Sequence, residues 1–357
     1  MRPAIAGQRR IGNQTVLFPT RPAIISAASV VGPKEGQGPL AQEFDVIKPD
    51  THFGQATWEH AETTMMREAA ATAAGKCGLE LQSLDLMLAG DLLNQTLASS
   101  FAARQIYIPF IGLYGACSTM AESMALASVF VDGGYAQRVL ATVSSHHDSA
   151  ERQYRYPTEF GAQRVPTSQW TVTGAGAAIV AAGGDGPAIT AATIGKVVDF
   201  GIKDSNDMGS AMAPAAAQTI VQHFQDTGLP ANHYDLIVTG DLAEVGNKIL
   251  VKLLSEAGLN LGNRLDDCGL MIFDRQAQNV KAGGSGCGCS AVVFCGHLMR
   301  RLLAGEIERL LLVCTGALLS PTSYQQGDTI PGIAHAVAVE ANASGATGAG
   351  GGGGGRI

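Results

Sequence analysis

The chain contains 357 residues, of which 46% are hydrophobic and 6% aromatic, and its formal net charge is −7 at pH 7. The negative charge argues against a nucleic-acid partner, and no apolar run reaches the ~20 residues of a membrane-spanning helix. Because residues 1–10 lack the apolar region of a secretory signal, we expect a cytosolic protein that associates with a membrane at most peripherally. The odd number of cysteines, seven, predicts reduced thiols.

Apolar segments alternate with helical stretches along the chain. Two short buried strands of similar sequence are predicted at 22–28 and 187–192. A second matched pair, 85–92 and 235–242, ends in Gly-Asp-Leu in both copies. A predicted helix that ends near a glycine precedes each member of the second pair. These matches, in the same order, indicate that one unit occurs twice.

A third matched pair supports the duplication. The sequence Gly-Ala-Cys-Ser at 115–118 is echoed by Cys-Gly-Cys-Ser at 287–290, and each opens a small-residue helix that leads to an apolar strand. Three ordered matches indicate an internal repeat. We predict an α/β fold whose halves, 14–180 and 181–340, stack in α/β/α/β/α layers around one cleft. A flexible Gly-rich tail is predicted at 341–357.

Cys117 lies where the strand-like run 108–114 turns into a predicted helix over 120–131. At a helix N-terminus the unpaired N–H groups and the helix dipole favour an anion. That anion is either the thiolate of Cys117 with a lowered pKa or the carboxylate of a ligand. The first alternative predicts an enzyme, which also needs a base and oxyanion donors. The second predicts a binding protein.

The duplication predicts which groups face Cys117 across the cleft, namely Asp241 and the loop 283–290. Neither supplies a histidine or an asparagine. The remaining candidates are His335, His146 and His147, although each alone is more often a hydrogen-bonded structural histidine than a base. The insertion at 144–173 is predicted to line the cleft or a dimer contact. Its polar and aromatic residues include His146, His147, Tyr154, Arg155, Tyr156 and Trp170.

Further polar residues follow the predicted strands. Asp91 either caps the next helix or anchors a ligand or a cation, and the nearby hydroxyl groups could hydrogen-bond a carboxylate. The predicted ligand-binding residues are Asp91, Cys117, Ser118, Ser144, Ser145, His146 and His335.

The duplicated halves and the cysteine at the turn resemble the thiolase fold, which the ketoacyl synthases share. From about residue 13 to about residue 340, the sequence more closely resembles the stage V sporulation protein AD family. The matching stretches are 32–35, 88–95, 115–119, 150–153, 155–159, 207–217, 266–270, 282–287 and 316–322. Runs of this length are specific, so the resemblance covers nearly the whole predicted fold.

The resemblance implies a protein that binds dipicolinic acid, pyridine-2,6-dicarboxylate, without catalysis. It would act with the other stage V sporulation A proteins, peripherally at the spore inner membrane, in uptake of the acid into the spore and its release at germination. No cofactor is implied. Calcium that travels with the ligand would let Asp91 approach a dianion.

Two further expectations come from the thiolase fold. The first is a homodimer formed through the strand near 138–143. The second is the alternative function, an acyl-CoA-dependent acyltransferase that uses Cys117. Because thiolases and their relatives need histidine, or histidine and asparagine, opposite the cysteine, the residues at Asp241 and 283–290 favour the binding protein.

Overall fold

The computed structural model describes residues 9–342, so residues 343–357 of the predicted tail lie outside the described residues. Ten strands build the two halves of one large sheet. In chain order they are β1 (Ala23–Val31), β2 (Leu86–Gly90), β3 (Phe110–Gly112), β4 (Arg138–Ser145), β5 (Gly174–Ala181), β6 (Ala188–Thr193), β7 (Leu236–Thr239), β8 (Leu265–Asp267), β9 (Arg309–Ala317) and β10 (Gly332–Glu340). Short strands at Arg10–Ile11, Thr15–Leu17 and Val46–Ile47 extend this sheet.

The two halves have the same strand order. It is β1-β5-β4-β2-β3 in the first half and β6-β10-β9-β7-β8 in the second. Strand β2 in the first half and strand β7 in the second half each pair in parallel with both of their neighbours. The remaining pairs within each half are antiparallel. The halves join where Ala23 of β1 pairs with Ala188 of β6. The topology therefore repeats as the matched sequence segments predict.

Helices cover both outer faces and fill the space between the two halves. The principal helices are α1 (Trp58–Lys76), α2 (Leu97–Ile106), α3 (Thr119–Asp132), α4 (His147–Tyr154), α5 (Met208–Thr227), α6 (Ala243–Glu256) and α7 (Cys287–Val293). Helices α1 and α2 pack on the first half, α5 and α6 pack on the second, and α3 and α7 lie between them. These are the α/β/α/β/α layers that the sequence predicts.

The alternation of side chains along the strands explains this layering. In β9, Leu310 and Leu312 belong to the central core with α3 and α7, whereas Leu311 and Val313 face the core under α5. Successive residues of a strand point to opposite faces, so an uninterrupted apolar run serves a sheet that is covered on both sides. The run at 310–313 is such a sequence.

Helix α5, the predicted helix that precedes the second matched segment, begins at Met208. The side chain of Asp207 accepts a hydrogen bond from the N–H of Ser210 at 3.2 Å and thereby caps the first turn. At the other end Gly228 has φ 68°, the left-handed conformation typical of a glycine that ends a helix. The predicted glycine stop is therefore confirmed.

The expectation that a dimer forms through 138–143 is wrong, because these residues belong to an interior strand. Strand β4 pairs with β2 on one side and with β5 on the other, so it has no free edge that could pair with a strand of a second protomer. Within residues 9–342, the edge of the first half is β3, which pairs with β2 alone. Also within 9–342, the helices include none that is long and apolar enough to cross a membrane.

Candidate functional site

A cavity of about 450 Å³ opens at Cys117, between the two halves of the fold. We call it the Cys117 cavity. Its lining residues are Leu92, Tyr114, Ala116, Cys117, Ala150, Tyr154, Arg155, Thr171, Met208, Ser285, Ala317 and Leu319. Most of these are apolar or aromatic. The cavity is open to solvent, and this volume includes the solvent space at its mouth.

The turn that carries Cys117 is held by its own hydroxyl groups. After β3 the chain forms a 3-10 turn over Ala116–Ser118, and α3 begins at Thr119. The hydroxyl of Ser118 donates to the carbonyl of Gly115 at 2.7 Å, and that of Thr119 donates to the carbonyl of Ala116 at 2.6 Å. Ala116 has φ 50°, a left-handed conformation that an alanine rarely adopts. The predicted strand, turn and helix at Cys117 are confirmed.

Asp241 faces Cys117 from the end of β7, as the duplication predicts. Its carboxylate accepts hydrogen bonds from the Thr315 hydroxyl at 2.7 Å and from the Gly286 N–H at 2.9 Å. The thiol of Cys117 lies close enough to this carboxylate for each group to shift the pKa of the other. Ser285 of the second-half loop therefore lines the cavity with the cysteine, whereas Asp241 is buried behind this wall, outside the set of lining residues.

Burial decides the protonation of the Cys117–Asp241 pair. Burial raises the pKa of Asp241 to about 7, although the hydrogen bond from Thr315 and the neighbouring Cys117 thiol oppose the shift. Burial and the charge of Asp241 raise the pKa of the Cys117 thiol well above its ordinary value. Desolvation therefore opposes the alternative of a thiolate with a lowered pKa, which the helix N-terminus by itself would favour. The raised pKa favours a neutral thiol beside Asp241.

Two tyrosines and one arginine complete the polar part of the wall. The hydroxyl groups of Tyr114 and Tyr154 lie 2.8 Å apart, and Tyr154 donates to the carbonyl of Leu92. Arg155 is the one cation among the lining residues, and it donates to the Ser205 carbonyl at 2.9 Å. The sequence-based set omitted all three. For Tyr154 and Arg155, the polar and aromatic composition of 144–173 is the sequence feature that could have indicated a place on the cavity wall.

The structure does not place Asp91 on the wall of the Cys117 cavity. Its buried carboxylate accepts hydrogen bonds from the N–H of Leu93 at 2.9 Å, from the N–H of Ser99 at 2.8 Å and from the Ser99 hydroxyl at 2.6 Å. Both carboxylate oxygens thus bind the segment that leads into α2. This arrangement matches the capping role, which was one of the two predicted alternatives for Asp91. Across residues 9–342, no group of three or more His, Cys, Asp and Glu side chains could hold a metal ion.

The three predicted serines lie near the turn but hydrogen-bond within the protein. The Ser118 hydroxyl closes the 3-10 turn, as described above. Ser144 donates to the Glu62 carboxylate at 3.0 Å, and Ser145 donates to the Val172 carbonyl at 2.7 Å while it accepts from the Gly288 N–H at 3.0 Å. None of the three lines the cavity. Cys117 is therefore the member of the predicted set that does.

The two predicted histidines also have structural partners. Nδ1 of His146 accepts from the N–H of Asp148 at 3.2 Å, so Nε2 carries the hydrogen and donates to the Thr51 carbonyl at 2.7 Å. Nδ1 of His335 accepts from the Gly195 N–H at 3.2 Å. No histidine is among the residues of 9–342 that line the Cys117 cavity. The geometry gives the thiol a carboxyl neighbour and no imidazole.

Comparison with solved structures identifies the fold. A 3-oxoacyl-[acyl-carrier-protein] synthase III from Aquifex aeolicus superposes with a TM-score of 0.55 and 14% identity, over 89% of this chain and 99% of that one. An OleA variant from Xanthomonas campestris gives a TM-score of 0.58 and 14% identity, over 92% of this chain and 100% of that one. At this identity the likeness establishes the thiolase-like fold alone.

Sequence comparison identifies the family. The family model described as stage V sporulation protein AD matches residues 12–340. The stage V sporulation protein AD of Bacillus subtilis (strain 168) is 50% identical over 329 residues, which cover 92% of this chain and 97% of that protein. The matched region includes both halves, the Cys117 turn and the Asp241 strand end. The chain belongs to the stage V sporulation protein AD family, on a thiolase-like fold.

Proposed function

We propose that this protein binds dipicolinic acid in the Cys117 cavity, without catalysis, for uptake into the developing spore and release at germination. It acts peripherally at the spore inner membrane, as a homodimer, with the other stage V sporulation A proteins. One observation carries the proposal. An acyl-transferring cysteine needs a base beside its thiol, and in this protein the group beside the Cys117 thiol is the carboxyl of Asp241 instead of an imidazole.

The chemistry of the cavity suits a flat aromatic acid. Leu92, Met208 and Leu319 supply apolar surface for a pyridine ring, and Arg155 supplies a cation for one carboxylate. A second carboxylate near Asp241 is tolerated when Asp241 is protonated, and its pKa of about 7 makes that state accessible near neutral pH. Calcium carried with the ligand would neutralise the same charge.

Calorimetric titration with dipicolinic acid, with and without calcium and with benzoate for comparison, tests the proposal. We expect saturable, selective binding that Cys117→Leu and Arg155→Gln each weaken at least about tenfold, because the first fills the cavity and the second removes its cation. Cys77→Leu is the matched control, since Cys77 is a free thiol at the end of α1. Absence of binding under both calcium conditions would refute the proposal.

The position of Cys117 in the strand, turn and helix favours a second candidate, acyl transfer from acyl-CoA, because the structural neighbours named above include a synthase. This function requires a covalent thioester on Cys117. Intact-mass spectrometry after incubation with acyl-CoA distinguishes the two. We expect no acyl adduct, because the raised thiol pKa leaves little thiolate to attack; an adduct that Cys117→Ala abolishes would establish the enzyme instead.

A further inference from the structure

A second cavity, of about 580 Å³, shares Arg155 with the Cys117 cavity. We call it the arginine cavity. It is enclosed by α4, by the loop that follows α4 and by the segment before α5. Its lining residues are His147, Glu151, Arg155, Tyr156, Thr158, Ala162, Arg164, Ser168, Trp170 and Asn206.

The arginine cavity has more positive than negative charge. Two arginines line it, and Glu151 is the one carboxylate among the lining residues. Its Oε1 lies 3.0 Å from Nη1 of Arg155 and 3.7 Å from Nη1 of Arg164. The side chains of Arg155 and Arg164 are only 10% and 19% exposed. A partly buried cation without a full counter-charge is costly, so an added anion would stabilise this wall.

His147 leaves hydrogen-bonding capacity unused at the same wall. It is 4% exposed and stacks on Trp170, with ring centroids 3.7 Å apart and planes inclined by 2°. Within residues 9–342 neither ring nitrogen has a partner of hydrogen-bond geometry, although the Thr171 backbone lies nearby. Burial and the charge of Arg164 lower the pKa of His147, which keeps the free ring neutral with one N–H to donate.

The other polar atoms of the wall are either engaged or also donors. The Ser168 hydroxyl donates to the Val165 carbonyl at 2.7 Å, and the Thr158 hydroxyl donates to Asp148 at 2.8 Å. In contrast, Nε of Arg164 is buried and has no partner among the described residues. The unsatisfied groups of this cavity are therefore an imidazole and a guanidinium N–H, and a carboxylate offers the acceptors that they lack.

We infer that the arginine cavity is a second anion site, in which Arg155, Arg164 and His147 bind a carboxylate of the same aromatic dicarboxylate. The inference rests on the proposed function for the identity of the ligand. The two cavities differ in charge: two arginines and one carboxylate line the arginine cavity, whereas Arg155 is the one charged residue among the lining residues of the Cys117 cavity. The arginine cavity captures the dianion, and Arg155 belongs to both sites.

Tryptophan fluorescence reports on the arginine cavity, because Trp170 lines that cavity and is not among the lining residues of the Cys117 cavity. The chain has two tryptophans, and Trp58 lines neither cavity, so Trp58→Phe leaves Trp170 as the single fluorophore. In this background we expect dipicolinate to change the Trp170 emission saturably. Arg164→Gln and His147→Phe, which keeps the stacked ring, should each weaken the titration at least about tenfold. Arg152→Gln is the control, because Arg152 lies on α4 and pairs with Glu59 outside the cavity.

Calorimetry on the same variants separates this inference from the proposed function. A Trp170 titration that is sensitive to Arg164→Gln or His147→Phe establishes the second site, whether or not Cys117→Leu changes the heat of binding. Calorimetric binding with no Trp170 response, or with a response that both variants leave unchanged, overturns the second site and leaves the Cys117 site standing. If neither signal appears, both sites are refuted. Unchanged thermal unfolding verifies that each variant is folded.

Discussion

Replacement of Asp241 by asparagine measures the electrostatics of the Cys117 cavity directly. The carboxyl of Asp241 is fully buried, and burial raises its pKa from 3.8 to about 7. Between these values the unfolded chain is ionised while the folded chain keeps its proton, so the stability of the folded state falls as pH rises from about 4 to about 7. The amide of the Asp241→Asn variant does not titrate, which makes the difference between the two proteins depend on pH.

The magnitude follows from the shift. At ~1.4 kcal/mol for each pKa unit, the raised pKa of Asp241 lowers the stability of the folded state by about 1.5 kcal/mol near pH 5, where only the unfolded chain is ionised, and by about 4 kcal/mol above pH 7. Asp241→Asn also loses one acceptor for Thr315 or Gly286, worth about 1–3 kcal/mol at every pH. The stability of the variant relative to the parent should therefore rise by about 3 kcal/mol between about pH 5 and about pH 8.

Urea unfolding of both proteins across this pH range is the assay. Asp226→Asn is the control, because hydrogen bonds from the backbone N–H groups of Asn13 and Gln14 help to lower the pKa of Asp226. That carboxyl is ionised in both states throughout the range, so the effect of its substitution should not change with pH. A difference between Asp241→Asn and the parent that is flat with pH would refute the account of the Cys117–Asp241 pair.

Three further predictions concern the Cys117 turn and its neighbours. Gly316→Ala should destabilise the protein by at least about 2 kcal/mol in chemical denaturation, because a Cβ there overlaps the Gly115 carbonyl oxygen and lies 3.1 Å from the Ser118 nitrogen. In contrast, Gly75→Ala in α1, where a Cβ meets open space, should stabilise the protein by about 1 kcal/mol. At neutral pH iodoacetamide should modify Cys117 much more slowly than a free cysteine, since its raised pKa suppresses the thiolate, and peptide mass mapping would detect rapid labelling. Asp91→Asn should lose hydrogen bonds to Leu93 and Ser99 worth about 1–3 kcal/mol, a loss that removal of a buried carboxylate with a raised pKa offsets in part as pH rises, and should leave dipicolinate affinity unchanged. A large loss of affinity in a stably folded variant would support the ligand role instead.

The sequence by itself determined the fold and the position of the cysteine. Matched strands, turns and helices recur in order along the chain, and each is specified by residues within about ten positions of one another. The pairing of Asp241 with Cys117 followed from that symmetry, because equivalent strand ends of the two halves meet at one cleft. Repetition converted local patterns into a prediction about residues more than a hundred positions apart.

Only the tertiary structure decided which polar side chains are available to a ligand. Ser144 is engaged by Glu62, 82 positions away, and His146 by the Thr51 carbonyl, 95 positions away, so their roles could not be read from local pattern. Arg155 lies between two cavities because the chain after α4 folds back against the segment before α5. The hydrogen-bond partner of a hydroxyl, an imidazole or a guanidinium group depends on which groups the packed fold places beside it. Desolvation, which raises the pKa of Cys117, likewise arises only when the chain has folded.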